Sequence, residues 1–194
     1  MNKPLARVYI DFWGPYTHVP NKWGYRYYLL IMDSYSCHSW IFLTKDRSYE
    51  TLERIMDDWL AKVKQETGEK LKEVQCDRAK EFLALRDHWG KLKGIKFRLI
   101  EAYTPAQNGL TERLNRFLLE IAHCLLFDMK ILKKYWPWAI LTANYLHNHL
   151  FPIGGIGVPQ ELYTGCEGGL DLAHLHIWGC KVYYHGKSGD KLEP

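Results

Sequence analysis

Three β-branched and aromatic runs near the N-terminus, a switch to helical spacing at Leu52, and later single strands alternating with helices predict an α/β fold. The architecture expected is a five-stranded mixed sheet flanked by helices. Val8 to Trp13 forms the first strand-like run, and Gly14-Pro15 stops it. Tyr25 to Met32 and Ser39 to Leu43 follow, separated by Asp33-Ser34 and a few further residues, so the three read as an antiparallel meander. Leu52, Ile55, Met56, Trp59, Leu60 and Val63 then fall at helical spacing, and Gly68 closes the pattern. A short strand, Glu73 to Cys76, precedes a second helix carrying Phe82, Leu85, Trp89 and Leu92, which Gly94 ends. Ile95 to Ile100 reads as the fifth strand.

The stretch Glu101 to Asn108 reads as a loop, and a long amphipathic helix is expected from about Gly109 to Phe127. Its expected buried stripe is Leu110, Leu114, Phe117, Leu118, Ile121 and Leu125. A further helix over Lys133 to His149 carries Pro137 near its start, where proline is tolerated. Beyond Pro152 the chain is Gly-rich, with a helical piece near Pro159 to Tyr163 and a strand-like run from Ile177 to Tyr184. The expected division is a core over 1–151 and a C-terminal extension over 152–194, packed on the core or following it. The order β-β-β-α-β-α-β-α-α is the order of ribonuclease-H-like folds, a fold analogy that says nothing yet of function.

Composition excludes several classes. Of the 194 residues, 47% are hydrophobic and 25% charged, too apolar for a disordered tail and too mixed for a coiled coil. No apolar run approaches the ~18 residues of a membrane span, and Met1 to Pro4 lacks the apolar segment of a signal peptide. Five cysteines with no C-x-x-C pair argue against a disulfide framework or a zinc site. The net charge of +4 permits a nucleic-acid partner without requiring one.

Three carboxylates stand out. Asp11 sits among large apolar residues in the first strand, where an unpaired charge is costly unless a cation or donors meet it. Read alone, it could instead face water at a strand end. Asp77 closes the strand before the second helix and could be no more than a helix cap. Glu112 lies in the first part of the long helix, about 170° from the centre of the expected stripe at 100° per residue. Alone it could be a solvated glutamate favoured by the helix dipole. Together, two strand-end aspartates and a helix-start glutamate can converge at one sheet edge. Such a cluster is tolerable when divalent cations bind it. Oxygen-only ligands suit Mg²⁺ or Mn²⁺, and two such ions about 3.5–4 Å apart serve in-line displacement at phosphorus.

Tyr103-Thr104-Pro105-Ala106-Gln107-Asn108-Gly109-Leu110-Thr111-Glu112-Arg113-Leu114-Asn115-Arg116 resembles the Y-T-P-x-Q-N-G-x-x-E-R-x-N-R signature of copia-type (Ty1/copia) retrotransposon integrases. Asp11-Phe12-Trp13-Gly14-Pro15 looks like the family's first catalytic strand, and Ile131 to Trp136 like its L-P-x-x-x-W segment. Pro159 to Gly165 and His174 to Cys180 look like its two C-terminal blocks. The resemblance implies a D,D,E catalytic core with Asp11, Asp77 and Glu112 as both catalytic and metal-binding residues. It implies two Mg²⁺ per site (Mn²⁺ as substitute), with retroelement cDNA 3′ ends trimmed and joined to target DNA. Double-stranded DNA, both element ends and target, is then the expected partner. Gln107, Asn108, Arg78, Lys80, Arg113 and Arg116 are candidate DNA contacts, with a second group at Lys91, Lys93, Lys96 and Arg98 that could equally be solvated surface. A homo-oligomer of at least two copies, no membrane partner and residence in the nucleus complete the expectation.

The sequence also departs from the pattern. The gap from Asp77 to Glu112 is one residue shorter than the family's usual spacing, and Arg78-Ala79 stands where the family usually has Asn-Gly or a similar small pair, with Arg78 and Lys80 adding positive charge there. The family's zinc-binding and long C-terminal regions lie outside this sequence, which reads as an excised core or a shortened derivative. A domesticated or decayed relative that binds DNA or protein without catalysis is the alternative.

Overall fold

The computed structural model describes residues 3–17, 21–100, 105–154, 156–166 and 171–183, with 105–108 described by backbone alone. Strands β1 (Arg7–Trp13), β2 (Tyr27–Asp33) and β3 (Ser39–Thr44) lead into helix α1 (Tyr49–Thr67). There follow β4 (Glu73–Cys76), α2 (Lys80–Leu92), β5 (Lys96–Leu99) and the long helix α3 (Pro105–Asp128). A 3-10 turn (Lys133–Tyr135), α4 (Trp136–Leu150) and the short α5 (Pro159–Thr164) complete the described elements. The sheet order is β3-β2-β1-β4-β5. The first three strands pair antiparallel, and β4 joins β1 and β5 in parallel. This is the ribonuclease-H-like arrangement expected.

Period-two alternation sorts the strand residues between two cores. Val8, Ile10 and Phe12 of β1, with Leu29 and Ile31 of β2, face α1 and α2, where Trp59, Phe82 and Trp89 are buried. Tyr9 of β1 and Tyr28, Leu30 and Met32 of β2 face α3 and α4. Burial of each such side chain contributes about 1.5–3 kcal/mol. Helix α1 starts where Ser48 accepts a hydrogen bond from the Thr51 backbone N–H, and it ends at Gly68. Gly68 adopts φ 69°, a left-handed cap that a Cβ would strain. At the end of β1, Gly14 has φ +121°, and a Cβ built there would lie 2.6 Å from the Arg26 carbonyl oxygen, so only glycine fits.

Asp33, fully buried at the end of β2, organises the turn to β3. Its carboxylate accepts from the backbone N–H groups of Leu5, Tyr35 and Ser36 and from the Ser36 hydroxyl. This is a turn role, as its position suggests.

Several boundaries differ from expectation. Helix α3 begins at Pro105 rather than Gly109. Proline at a first helical position loses no hydrogen bond and is preset for the helix. The predicted helix from Lys133 opens as a 3-10 turn before α4 begins at Trp136. The stripe of α3 is also rotated. Thr111, Leu114, Asn115, Leu118, Ala122 and Leu126 are the buried positions, whereas Leu110 is exposed. The packed face thus lies roughly 75° round the helix from the expected stripe, and Glu112 flanks it at roughly 95° instead of opposing it. Two polar residues, Thr111 and Asn115, occupy that face. Finally, residues 177–183 of the expected last strand form no strand, and Ile177, Val182 and Tyr183 are exposed. Without a neighbouring strand to pair with, β-branched and aromatic content does not make a strand.

Helix α5 contacts α4 and buries Tyr163 against the α1-side core, where its ring stacks on His38. The His38 Nε2 lies 2.8 Å from Gln160 Oε1 on α5. Burial pushes the His38 imidazole down to about 3, so the folded protein holds it neutral. The unfolded chain binds a proton near pH 6.5, so this burial costs stability as pH falls from there towards 3. Thermal melts of His38→Gln and the parent protein at each pH should diverge in favour of the variant on acidification from about pH 7 to about pH 4. A difference in melting temperature independent of pH would contradict the assignment.

Candidate active site

The parallel pairing of β1 with β4 matches Val8 to Val74 and Tyr9 to Gln75. The pairing ends at Tyr9 and Gln75, so Asp11 and Asp77, each two residues further on, lie just beyond the paired stretch of these neighbouring chains. Val8 and Ile10, with Val74 and Cys76, turn to the α1 side. Alternation puts Asp11 on the opposite side, under α3, whereas Asp77 lies past the end of β4.

Helix α3 reaches Asp11 directly. Asn115 Nδ2 donates to Asp11 Oδ2 at 3.0 Å, and the Tyr28 hydroxyl donates to Asn115 Oδ1 at 3.0 Å. Burial, and then the charge of Asp11, raise the Tyr28 phenol well above its ordinary range, so it stays a donor. A donating tyrosine fixes the orientation of the Asn115 amide, which leaves its N–H group for the carboxylate. Glu112 lies one turn before Asn115, exposed at the flank of the same face.

The electrostatics reflect this crowding. Asp11 is pushed up to about 7, first by burial and then by the charges of Asp77 and Glu112. The Phe12 backbone N–H and Arg47 act in the opposite direction. The Arg47 guanidinium lies 2.8 Å from Glu81 Oε1 and about 6 Å from the rings of Phe12 and Tyr27. Asp77 is exposed, and its Oδ1 accepts from the Ala79 backbone N–H at 2.9 Å, which turns the chain into α2. Asp77 therefore fills the local turn role and also stands beside Asp11.

Among the described residues, no three His, Cys, Asp or Glu side chains are gathered closely enough to hold a metal ion. The donor chemistry nevertheless suits a hard cation. Asp11 is a largely buried carboxylate with two further carboxylates acting on it and an amide as its side-chain donor. A divalent cation drawing in Asp77 and Glu112 would relieve that repulsion.

The other predicted contacts divide. Arg78 and Lys80 are exposed where the chain passes from Asp77 into α2. Arg113 lies nearly opposite the buried stripe of α3, its Nε donating to the Gly109 carbonyl at 2.8 Å. Arg116 is exposed between that solvent face and the Glu112 flank. The backbone of Gln107 and Asn108 lies in the first turn of α3, and their side chains fall outside the described residues. Asn115, Tyr28, Arg47 and Glu81 were not singled out by sequence reasoning. Asn115 was within reach, since a polar residue one turn after Glu112 marks the same flank. Arg47 carries no such signal, because its partner lies in a remote helix. A cavity of about 1120 Å³ opens elsewhere, between β3, α1, α4 and α5, and none of the three carboxylates lines it.

Comparison with known proteins gives the family and the fold. Residues 1–105 match the family model described as integrase core domain, a match that ends before Glu112. The chain is 29% identical over 185 residues to the retrovirus-related Pol polyprotein from transposon TNT 1-94 of Nicotiana tabacum, covering 93% of this chain and 13% of that protein. It is 30% identical over 184 residues to the Pol polyprotein from transposon RE2 of Arabidopsis thaliana, covering 94% of this chain and 12% of that protein. The chain thus spans about an eighth of the length of these curated relatives. Among solved structures, the HTLV-2 integrase catalytic core domain in complex with magnesium (trimeric form) superposes with TM-score 0.60 at 18% identity, over 83% of this chain and 97% of that one. A chain of the simian T-cell lymphotropic virus intasome in complex with PP2A regulatory subunit B56 gamma gives TM-score 0.65 at 18% identity, over 95% of this chain and 61% of that one.

The raised Asp11 value carries a sign. A carboxyl whose folded value near 7 exceeds its unfolded value near 3.9 holds its proton in the folded protein, so its burial costs stability as pH rises between them. In metal-free protein, Asp11→Asn should therefore raise the melting temperature at about pH 8 and give a smaller gain at about pH 4. Differential scanning fluorimetry at both values checks this, and an unchanged or lowered melting temperature at the higher pH contradicts it.

Proposed function

Because the chain belongs to the integrase core domain family and is related to Pol polyproteins of copia-type plant retrotransposons, we propose that it is the catalytic core of a retroelement integrase. It joins element cDNA 3′ ends to target DNA and trims those ends beforehand. The observation that carries this reading is Asp11, a largely buried carboxylate raised to about 7 beside Asp77 and under Glu112, with α3 holding it through Asn115. Asp11, Asp77 and Glu112 would hold two Mg²⁺, with Mn²⁺ as a substitute. When bound, these ions supply Lewis acidity that activates the attacking oxygen and neutralises charge on the leaving 3′-oxygen.

The chain's own groups do the positioning. Asn115 fixes the Asp11 carboxylate by donating to its Oδ2. Arg47, braced by Glu81 and packed on Phe12 and Tyr27, is a fixed cation whose charge reaches Asp11 and would favour a phosphate at the site. Arg78 and Lys80 extend positive charge along the start of α2. Gln107 and Asn108, in the first turn of α3, would touch the DNA end, with Arg113 and Arg116 on the outward faces of that helix. Joining two ends to one target requires two active sites, so a homo-oligomer of at least two copies is the working form. On this reading the protein acts in the nucleus. On the same reading residues 152–194 belong to an extension beyond the core, whose helix α5 packs against α4.

A second reading is a domesticated or decayed relative that keeps the fold and binds DNA or protein without catalysis. The shortened Asp77–Glu112 spacing, the cations at Arg78 and Lys80, and the open spacing of the carboxylates favour it.

Two measurements separate the readings. Asp77→Asn should abolish Mg²⁺-dependent strand joining on branched or pre-cut DNA while leaving far-UV circular dichroism intact, and retained activity would remove Asp77 from the mechanism. Titration calorimetry with Mn²⁺ should show binding to the parent protein that Asp77→Asn and Glu112→Gln lose. No binding by the parent protein would leave the non-catalytic reading standing.

A further inference from the structure

Residues 21–26 and 129–138 hold four lysines and one arginine and no carboxylate. The two segments meet around Trp23. Its ring packs edge-on with Tyr135 at 5.8 Å and with Trp138 at 5.4 Å. Lys22 lies 5.1 Å from the Trp23 ring centre, and Lys134 lies 5.4 Å from that of Tyr135. Lys45, beyond the end of β3, reaches the Gly24 side of the same turn. Among the described residues, none of Lys22, Lys45, Lys133 or Lys134 is paired with a carboxylate.

This cluster is built, not incidental. Asn21 closes the turn that presents Trp23. Its side chain donates to the Tyr25 carbonyl at 2.6 Å and accepts from the Tyr25 N–H at 3.1 Å, and the Gly24 N–H donates to the Asn21 carbonyl. Trp138 remains 41% exposed on α4. Trp59, Trp89 and Trp136, by contrast, are buried core residues. With Trp23 half-buried on the turn and Trp138 exposed on α4, the cluster leaves indole surface in water that is costly unless something covers it.

The patch also connects to the carboxylates. Trp136, next to Tyr135, packs on Trp13 at 5.7 Å, and Trp13 stacks on Tyr28 at 5.1 Å. Tyr28 is the residue that holds Asn115 against Asp11.

We propose that Trp23, Tyr135 and Trp138, with Lys22, Lys133 and Lys134, form a nucleic-acid contact for an unpaired DNA strand. Open indole faces offer stacking to bases, and a duplex hides its base faces, so the aromatic component selects single strand. The uncompensated lysines supply the phosphate component. The occupant is therefore nucleic acid rather than an apolar protein face. This inference rests on the integrase reading for its biological setting, where a trimmed end carries an unpaired overhang.

The test is fluorescence anisotropy of this 194-residue chain with a labelled single strand of about a dozen nucleotides, and with the same sequence as duplex, across a salt series without divalent cation. Trp23→Ala with Trp138→Ala should weaken single-strand binding by about tenfold or more and duplex binding by about twofold or less. Trp138→Phe should retain most of the affinity. Lys133→Gln with Lys134→Gln should lower the slope of log affinity against log salt by roughly 1.4, from about 0.7 per lost phosphate contact. Circular dichroism checks that each variant folds. Unchanged single-strand affinity in the folded tryptophan variants overturns the proposal. So does a change confined to self-association in sedimentation, which would make the patch a protein contact. Repeating the titration in Asp77→Asn separates the two readings, because strand binding without metal does not need the carboxylates to catalyse.

Discussion

One hydrogen-bonded chain, from Tyr28 through Asn115 to Asp11, ties the long helix α3 to the centre of the sheet. Without it, Asp11 would be a carboxylate buried among aromatic side chains with no side-chain donor to meet it, a costly arrangement. With it, the carboxylate is oriented and half satisfied, and the helix that carries Glu112 is held at a defined rotation about its own axis. That rotation decides whether the glutamate faces the two aspartates or the solvent. The parallel pairing of β1 and β4 brings the chain ends that carry Asp11 and Asp77 to the same edge of the sheet, and the charge of Asp77 acts on Asp11.

The same chain explains an exchange between stability and chemistry. A proton near neutrality on Asp11 reflects how poorly burial and the neighbouring carboxylates accommodate its charge. Proteins keep such arrangements where a ligand makes them favourable. The neighbouring Arg47, stacked near Phe12 and paired with Glu81, adds a fixed positive charge that opposes the rise without cancelling it.

Much of the fold was readable from residues alone. Strands β1 to β3 announce themselves by β-branched and aromatic runs between turn signals, and α1 by its helical period and the closing Gly68. The long helix was located but its rotation was misjudged. Thr111 and Asn115 count as polar, so a hydrophobic stripe drawn through Leu110 and Phe117 turned the helix away from the sheet. Polar residues that face a buried carboxylate invert the usual rule that polar means solvent. The C-terminal run from Ile177 was misread for a different reason. Its composition suits a strand, but strand formation needs a partner edge, and composition carries no information about that. Parallel register between β1 and β4, on which the meeting of the two aspartates depends, is likewise set by intervening helices and not by any local signal.

The central claim is that Asp11, Asp77 and Glu112 close on hard cations. The most direct measurement is anomalous diffraction from crystals of this chain grown with Mn²⁺. The account predicts a manganese peak bounded by oxygens of all three side chains, with Asn115 still hydrogen-bonded to Asp11. Manganese bound elsewhere on the chain, with the three carboxylates still apart and no peak between them, would contradict it.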